Sequence, residues 1–131
     1  MSIPTEFMSL AGVYQQTFRS ADWEAWGSLF QEDADFVTWG GVWWRSRAEI
    51  IAGHRKVDEW VQAQTGGYVL RPLDASALAT GIVLAHAAWE WPGFRSSALA
   101  TAEDRTGVLT MLLVPTDRGW RIRASHNTRA A

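Results

Sequence analysis

Past Gly67 the chain abandons the helical period that organises its first half. Strand-like runs near 68–75, 81–91, 106–115 and 119–127 are separated by turn signals at Thr80-Gly81, Pro92-Gly93 and Asp117-Arg118-Gly119. Before them, Phe7, Leu10, Ala11, Tyr14 and Phe18 recur at helical spacing behind Pro4, predicting an amphipathic helix over about 5–19. Asp22 can cap a second helix carrying Trp23, Trp26, Leu29 and Phe30, which ends before the acidic cluster Glu32, Asp33 and Asp35. Asp35 to Trp39 alternates like a strand, Gly40-Gly41 suits a tight turn, and Val42 to Arg45 returns. Ser46 with Glu49 forms a capping box for a third helix, with Ile50, His54, Val57 and Val61 on its stripe, running to about Gln64. Helices first and strands afterwards predict one α+β domain over 1–131, its helices covering one face of a largely antiparallel sheet.

The run 106–115 adds a constraint. Leu109, Met111 and Leu113 point one way, and Val108, Leu112 and Val114 point the other, so both faces are apolar. A sheet wetted on one side alternates apolar with polar, so the second face calls for a cover, and a homodimer packed through the sheets is expected.

Charge and composition narrow the partners. With 12 Lys+Arg against 14 Asp+Glu and a net charge of -2, the chain has no basic excess for a phosphate backbone, and nucleic acid is not expected. No apolar run reaches the roughly 18–20 residues of a membrane span, and MSIPTEFMSL lacks the pattern of a signal peptide. Together with zero cysteines, this gives the expectation of a cytoplasmic protein that does not touch membranes. No nucleotide-binding glycine motif occurs, so no cofactor is expected. The acidic run at Glu32, Asp33 and Asp35 sits where acids cap and solvate, and His54, His86 and His126 lack any close ligand pair, so no metal is expected either. The clear excess is nine tryptophans, each with a large apolar body and an N–H that wants a partner.

Four motifs in order, Asp33 to Val37 (DADFV), Trp43 to His54, Val83 to Glu90 (VLAHAAWE) and Trp120 to Thr128, make the chain resemble the nuclear transport factor two-like superfamily. Within it the chain looks closest to the SnoaL-like subgroup named for SgcJ and EcaC, and is more distantly similar to ketosteroid isomerase and scytalone dehydratase. The resemblance implies a cone-shaped α+β fold, three N-terminal helices packed on a curved, largely antiparallel sheet of about six strands, with a deep pocket between. The fold does not specify a reaction.

Inward-pointing polar residues are then the candidates. On the last strand Trp120, Ile122, Ala124 and His126 share a face by alternation, so His126 is expected inward as a general acid/base. His54 lies on the apolar stripe of the third helix, and His86 is expected on the dimer side. Alignment with ketosteroid isomerase places Tyr14 at a tyrosine donor position and Thr38 where the catalytic carboxylate would stand. Threonine cannot abstract an α-proton, so that mechanism is not carried over.

Thr38 inward turns Trp39 outward, and Trp43 and Trp44 face opposite sides of the returning strand. Trp44 and Trp89, with Trp26, Phe30, Phe36 and Tyr14, are expected to form an aromatic pocket for a flat, apolar ligand. The long connection 92–104 is a candidate lid. The leading expectation is a cofactor-independent isomerase, lyase or cyclase acting on an aromatic or polyketide-type compound through His126 or His54 and Tyr14. The alternatives are a non-catalytic ligand-binding domain and an assembly module with a vestigial pocket.

Overall fold

A computed structural model describes residues 2–130. Its elements run α1 (Thr5–Arg19), α2 (Trp23–Gly27), β1 (Phe30–Val37), β2 (Trp43–Trp44), α3 (Arg47–Arg55), α4 (Glu59–Gln62), a 3-10 turn at Thr65–Gly67, β3 (Val69–Ala79), β4 (Ile82–Phe94), β5 (Glu103–Thr116) and β6 (Gly119–Arg129). One mixed sheet has the order β2-β1-β6-β5-β4-β3, antiparallel throughout except where β1 runs parallel to β6. No helix among the described residues is long and apolar enough to cross a membrane.

The expected periodicities set the layers. The stripe Phe7, Leu10, Ala11, Tyr14 and Phe18 buries α1 against the sheet. From the sheet come Val83, Ala85, Ala87, Trp89 and Trp91 of β4, Leu109, Met111 and Leu113 of β5, and Ile122 of β6, all buried on the helix-covered side. Asp22 caps α2 by accepting from the Ala25 N–H at 3.2 Å, and Ser46 caps α3 by accepting from that of Glu49 at 3.1 Å.

Four boundaries differ from the expectations. Phe30 opens β1 instead of closing the second helix, because the Leu29 carbonyl accepts from Ile122 N–H at 2.8 Å and joins the chain to the sheet there. The third helix stops at Arg55 instead of reaching Gln64. Asp58 caps a fresh helix through Trp60 N–H at 2.8 Å, and the Gln62 amide donates back to the His54 carbonyl at 2.5 Å. The connection after β4 shortens to 95–102, since β4 continues to Phe94 through a bulge in which Gly93 takes φ 65.

The fourth difference changes the site. Leu113 pairs with Ile122 but Leu112 pairs with Ala124, so Arg123 is an extra residue in β6. This bulge reverses the alternation beyond it. Ile122, Ser125 and Asn127 face inward, while Ala124 and His126 face out, and His126 is exposed opposite Thr110. The expectation that His126 follows Ile122 into the pocket is thereby corrected.

Candidate functional site

A cavity of about 390 Å³ lies between the helices and the inner face of the sheet. Its walls are aromatic: Tyr14 and Phe18 from α1, Trp23 from α2, Phe36 from β1, Trp44 from β2, Tyr68 before β3, and Trp91 and Phe94 from β4. Residue alternation in β1 explains Phe36, and the pairing Phe36↔Trp44 carries Trp44 to the same side. Trp43 goes outward, where its N–H donates to Asp35 at 2.5 Å and Arg45 covers its ring. Trp44 can lie flat across α3 only because residue 53 is glycine; a Cβ there would collide with its indole.

Trp39 corrects the expectation that it turns outward. Strand alternation ends at Val37, and a turn closed by Thr38 N–H to the Val42 carbonyl at 2.9 Å swings Trp39 over the sheet. Its ring stacks on that of Trp89, centroids 5.0 Å apart. Thr38 lines the cavity as expected. Trp26, Phe30 and Trp89 do not line it; they stand fully buried behind the wall and brace it. The acidic run is also accounted for, because Arg123 pairs with Asp33 at 3.6 Å and Asp35 at 3.0 Å, and Arg47 reaches Glu32 at 3.6 Å.

The polar groups facing the cavity are few. His54 sits among Trp26, Trp44, Trp23 and Phe36, with ring centroids 4.4, 5.0, 5.3 and 5.4 Å away. Its Nδ1 lies 2.8 Å from the Ile50 carbonyl, an acceptor only, so Nδ1 carries the proton and Nε2 keeps a lone pair. Burial lowers its pKa from 6.5 to about 4, the carbonyl opposing. The ring is half-buried and lines the cavity, and that partial exposure limits the effect without reversing it. At neutral pH the imidazole is uncharged.

Tyr14 and Tyr68 stack with centroids 6.5 Å apart. Burial raises the pKa of both hydroxyls; for Tyr14 the neighbouring Trp26 and Tyr68 groups oppose this only in part. Both therefore stay protonated donors. Asn127, which sequence reasoning passed over, lines the cavity and accepts from the buried Trp89 N–H at 2.6 Å. Its signal lay in the bulge, which no alternation pattern reveals. Among the described residues Asp58 is the one carboxylate on the lining, and it is occupied: Oδ1 caps α4, and Oδ2 takes the Ser97 N–H at 2.9 Å and the Ser97 hydroxyl. Hydrogen bonds from Ser97 and Trp60 hold its pKa below the ordinary carboxylate value.

The arrangement offers an uncharged acceptor, tyrosine donors and an amide inside an aromatic shell. Of the expected catalytic residues it brings together His54 and Tyr14 and leaves His126 on the opposite face of the sheet. His86 also lies on that outer face, 3.1 Å from Asp74, on the side expected for it.

Comparison with known proteins places this geometry. The family model described as a SnoaL-like domain matches residues 8–128. No curated protein sequence matches the chain. Among solved structures, a ketosteroid isomerase-like protein from Erwinia carotovora atroseptica is 16% identical with a TM-score of 0.78, covering 95% of this chain and 93% of that one. A protein with a cystatin-like fold from Caulobacter vibrioides is 20% identical with a TM-score of 0.78, covering 96% and 88%. Aln2 from a Streptomyces species is 18% identical with a TM-score of 0.74, covering 98% and 94%. At these identities the likeness is one of fold.

Proposed function

The chain belongs to the SnoaL-like domain family, and from that premise we propose that its cavity takes up a small, largely apolar compound of aromatic or polyketide type. There, without a cofactor, it acts as an isomerase, lyase or cyclase through His54 and Tyr14. The observation that carries this reading is the meeting of a neutral His54, its Nε2 lone pair free, with the Tyr14 hydroxyl on one aromatic-walled cavity. A planar substrate stacks against the tryptophans and excludes water. Tyr14 donates to the substrate oxygen on which negative charge develops, and Nε2 accepts the proton that must leave.

A second reading is favoured by one feature of the same site. A base whose pKa is depressed to about 4 is weak, and Asp58 on the lining is already engaged. Both suit recognition by hydrogen bonding better than proton abstraction, so non-catalytic binding is the alternative. Titrating aromatic and polyketide-like compounds against tryptophan fluorescence, with each binder followed by mass spectrometry and chromatography, separates the two. Conversion abolished in His54→Gln and Tyr14→Phe supports catalysis; binding with no conversion assigns a carrier or sensor; no binding refutes both.

A homodimer is also proposed, through the outer face of the sheet. Leu84 and Leu112 form a cross-strand pair there, and Ala88 with the 38% exposed Val108 forms another beyond the His86–Thr110 pair. These apolar side chains stand on the face away from the helices, where a second copy would cover them.

A further inference from the structure

Two hydrogen-bonding groups on the cavity are left with opposite and complementary capacities by their own partners. His54 commits its Nδ1–H to the Ile50 carbonyl, so Nε2 can only accept. Asn127 commits Oδ1 to the Trp89 N–H, which fixes the amide and leaves Nδ2 only to donate. They occupy different depths. The His54 ring packs against Phe36, 5.4 Å between centroids. Asn127 follows His126, the partner of Val37, and so comes level with Thr38. Phe36 and Thr38 are one alternation apart, about 7 Å along a strand.

Charge supplies the second observation. Among the described residues no lysine or arginine lines the cavity, and Asp58 is its one acidic side chain. Arg105 stands against the rings of Trp39 and Phe94 and is paired with Glu103 at 2.6 Å. An anion entering this site would lose its hydration and gain no counter-charge, a penalty that neutral groups do not meet.

Resting on the reading of this cavity as a small-molecule site, we propose that its ligand is an uncharged aromatic hydroxy-ketone. The hydroxyl donates to His54 Nε2 at one end, the carbonyl accepts from Asn127 Nδ2 at the other, and the rings lie between the aromatic walls. Aromatic carboxylates and phosphates of the same size are rejected.

The test uses four probes followed by tryptophan quenching near neutral pH: an acetylnaphthol with its hydroxyl and ketone at opposite ends, the methyl ether of that compound, plain naphthol, and a hydroxynaphthoic acid. The acetylnaphthol binds about tenfold more tightly than its ether and about tenfold more tightly than naphthol, one hydrogen bond in each comparison. The hydroxynaphthoate binds at least about a hundredfold more weakly than the acetylnaphthol. His54→Phe brings the hydroxyl-to-ether ratio near one and leaves the ketone preference. Asn127→Asp, which preserves an acceptor for Trp89, removes the ketone preference and leaves the hydroxyl one. Because each ratio compares ligands on one variant, incomplete folding cancels. Tight binding of the naphthoate, or ratios unmoved by these substitutions, overturns the proposal while leaving the cavity a binding site. If none of the four probes binds, the proposal and the reading beneath it fall together.

Discussion

Acidification tests the state of His54 directly. The folded chain accommodates the neutral ring, with a pKa near 4, whereas the unfolded chain takes up a proton near the ordinary value of 6.5. Above 6.5 neither state is protonated there, and the packing of His54 contributes in full. As pH falls from 6.5 towards 4, only the unfolded chain gains the proton, so stability declines; below about 4 both states are protonated and the loss levels off. Linkage over the whole interval gives a loss on the order of 3 kcal/mol, and between about pH 7 and pH 5 on the order of 2 kcal/mol. The partial exposure of the ring makes both figures upper bounds. The assay is urea unfolding followed by tryptophan fluorescence at several pH values, on the wild type and on His54→Gln. Other titrating groups act alike on both proteins, so the difference between their stabilities isolates His54. The expected difference narrows in favour of the variant as pH falls from 6.5 to 4. Parallel curves across that range would show that the folded chain protonates His54 as readily as the unfolded one, and the argument that burial holds the ring neutral below pH 6.5 would be wrong.

The remaining predictions concern the walls and the outer face. Gly53→Ala forces the Trp44 indole off α3; the expected outcome is a loss of about 1–3 kcal/mol in urea unfolding with an altered near-UV circular dichroism spectrum. Asn127→Leu leaves the buried Trp89 N–H without its acceptor and lowers stability by about 1–3 kcal/mol, whereas Asn127→Asp keeps an acceptor and loses markedly less. Sedimentation velocity of the wild type should give a dimer, and Leu112→Glu, at the centre of the outer face, should yield a folded monomer with unchanged far-UV circular dichroism.

Much of the architecture follows from local pattern. The α1 stripe, the Asp22 and Ser46 caps and the inward row of β4 are short-range features, and each is visible as spacing in the sequence. Tyr14, Phe36, Trp44 and His54 reach the cavity because they belong to regular elements, and Thr38 because it stands directly after one. The misplacements share a different cause. His126 turns outward because Arg123 is an extra residue in β6, and a one-residue bulge has no composition of its own in a polar run such as RIRASHN. Trp39 turns inward because its strand has ended, although the residues around it still alternate. The break after Arg55 depends on Asp58 and Gln62 binding backbone groups, which the apolar stripe through Val57 and Val61 conceals. Asn127 is invisible until both the bulge and its contact with Trp89 are known.

The parallel pairing of β1 with β6 bears on how the chain matures during synthesis. Phe36 and Ser125 lie side by side although most of the sequence separates them, so this seam is formed by one of the longest loop closures in the molecule. A nascent chain that has delivered every element up to β5 can zip the meander β3-β4-β5 but has nothing to which β1 and β2 can attach. Until β6 emerges, β1 and β2 cannot join that sheet, and the aromatic side chains they carry, Phe36 and Trp44 among them, stay available to chaperones and to other unfinished chains.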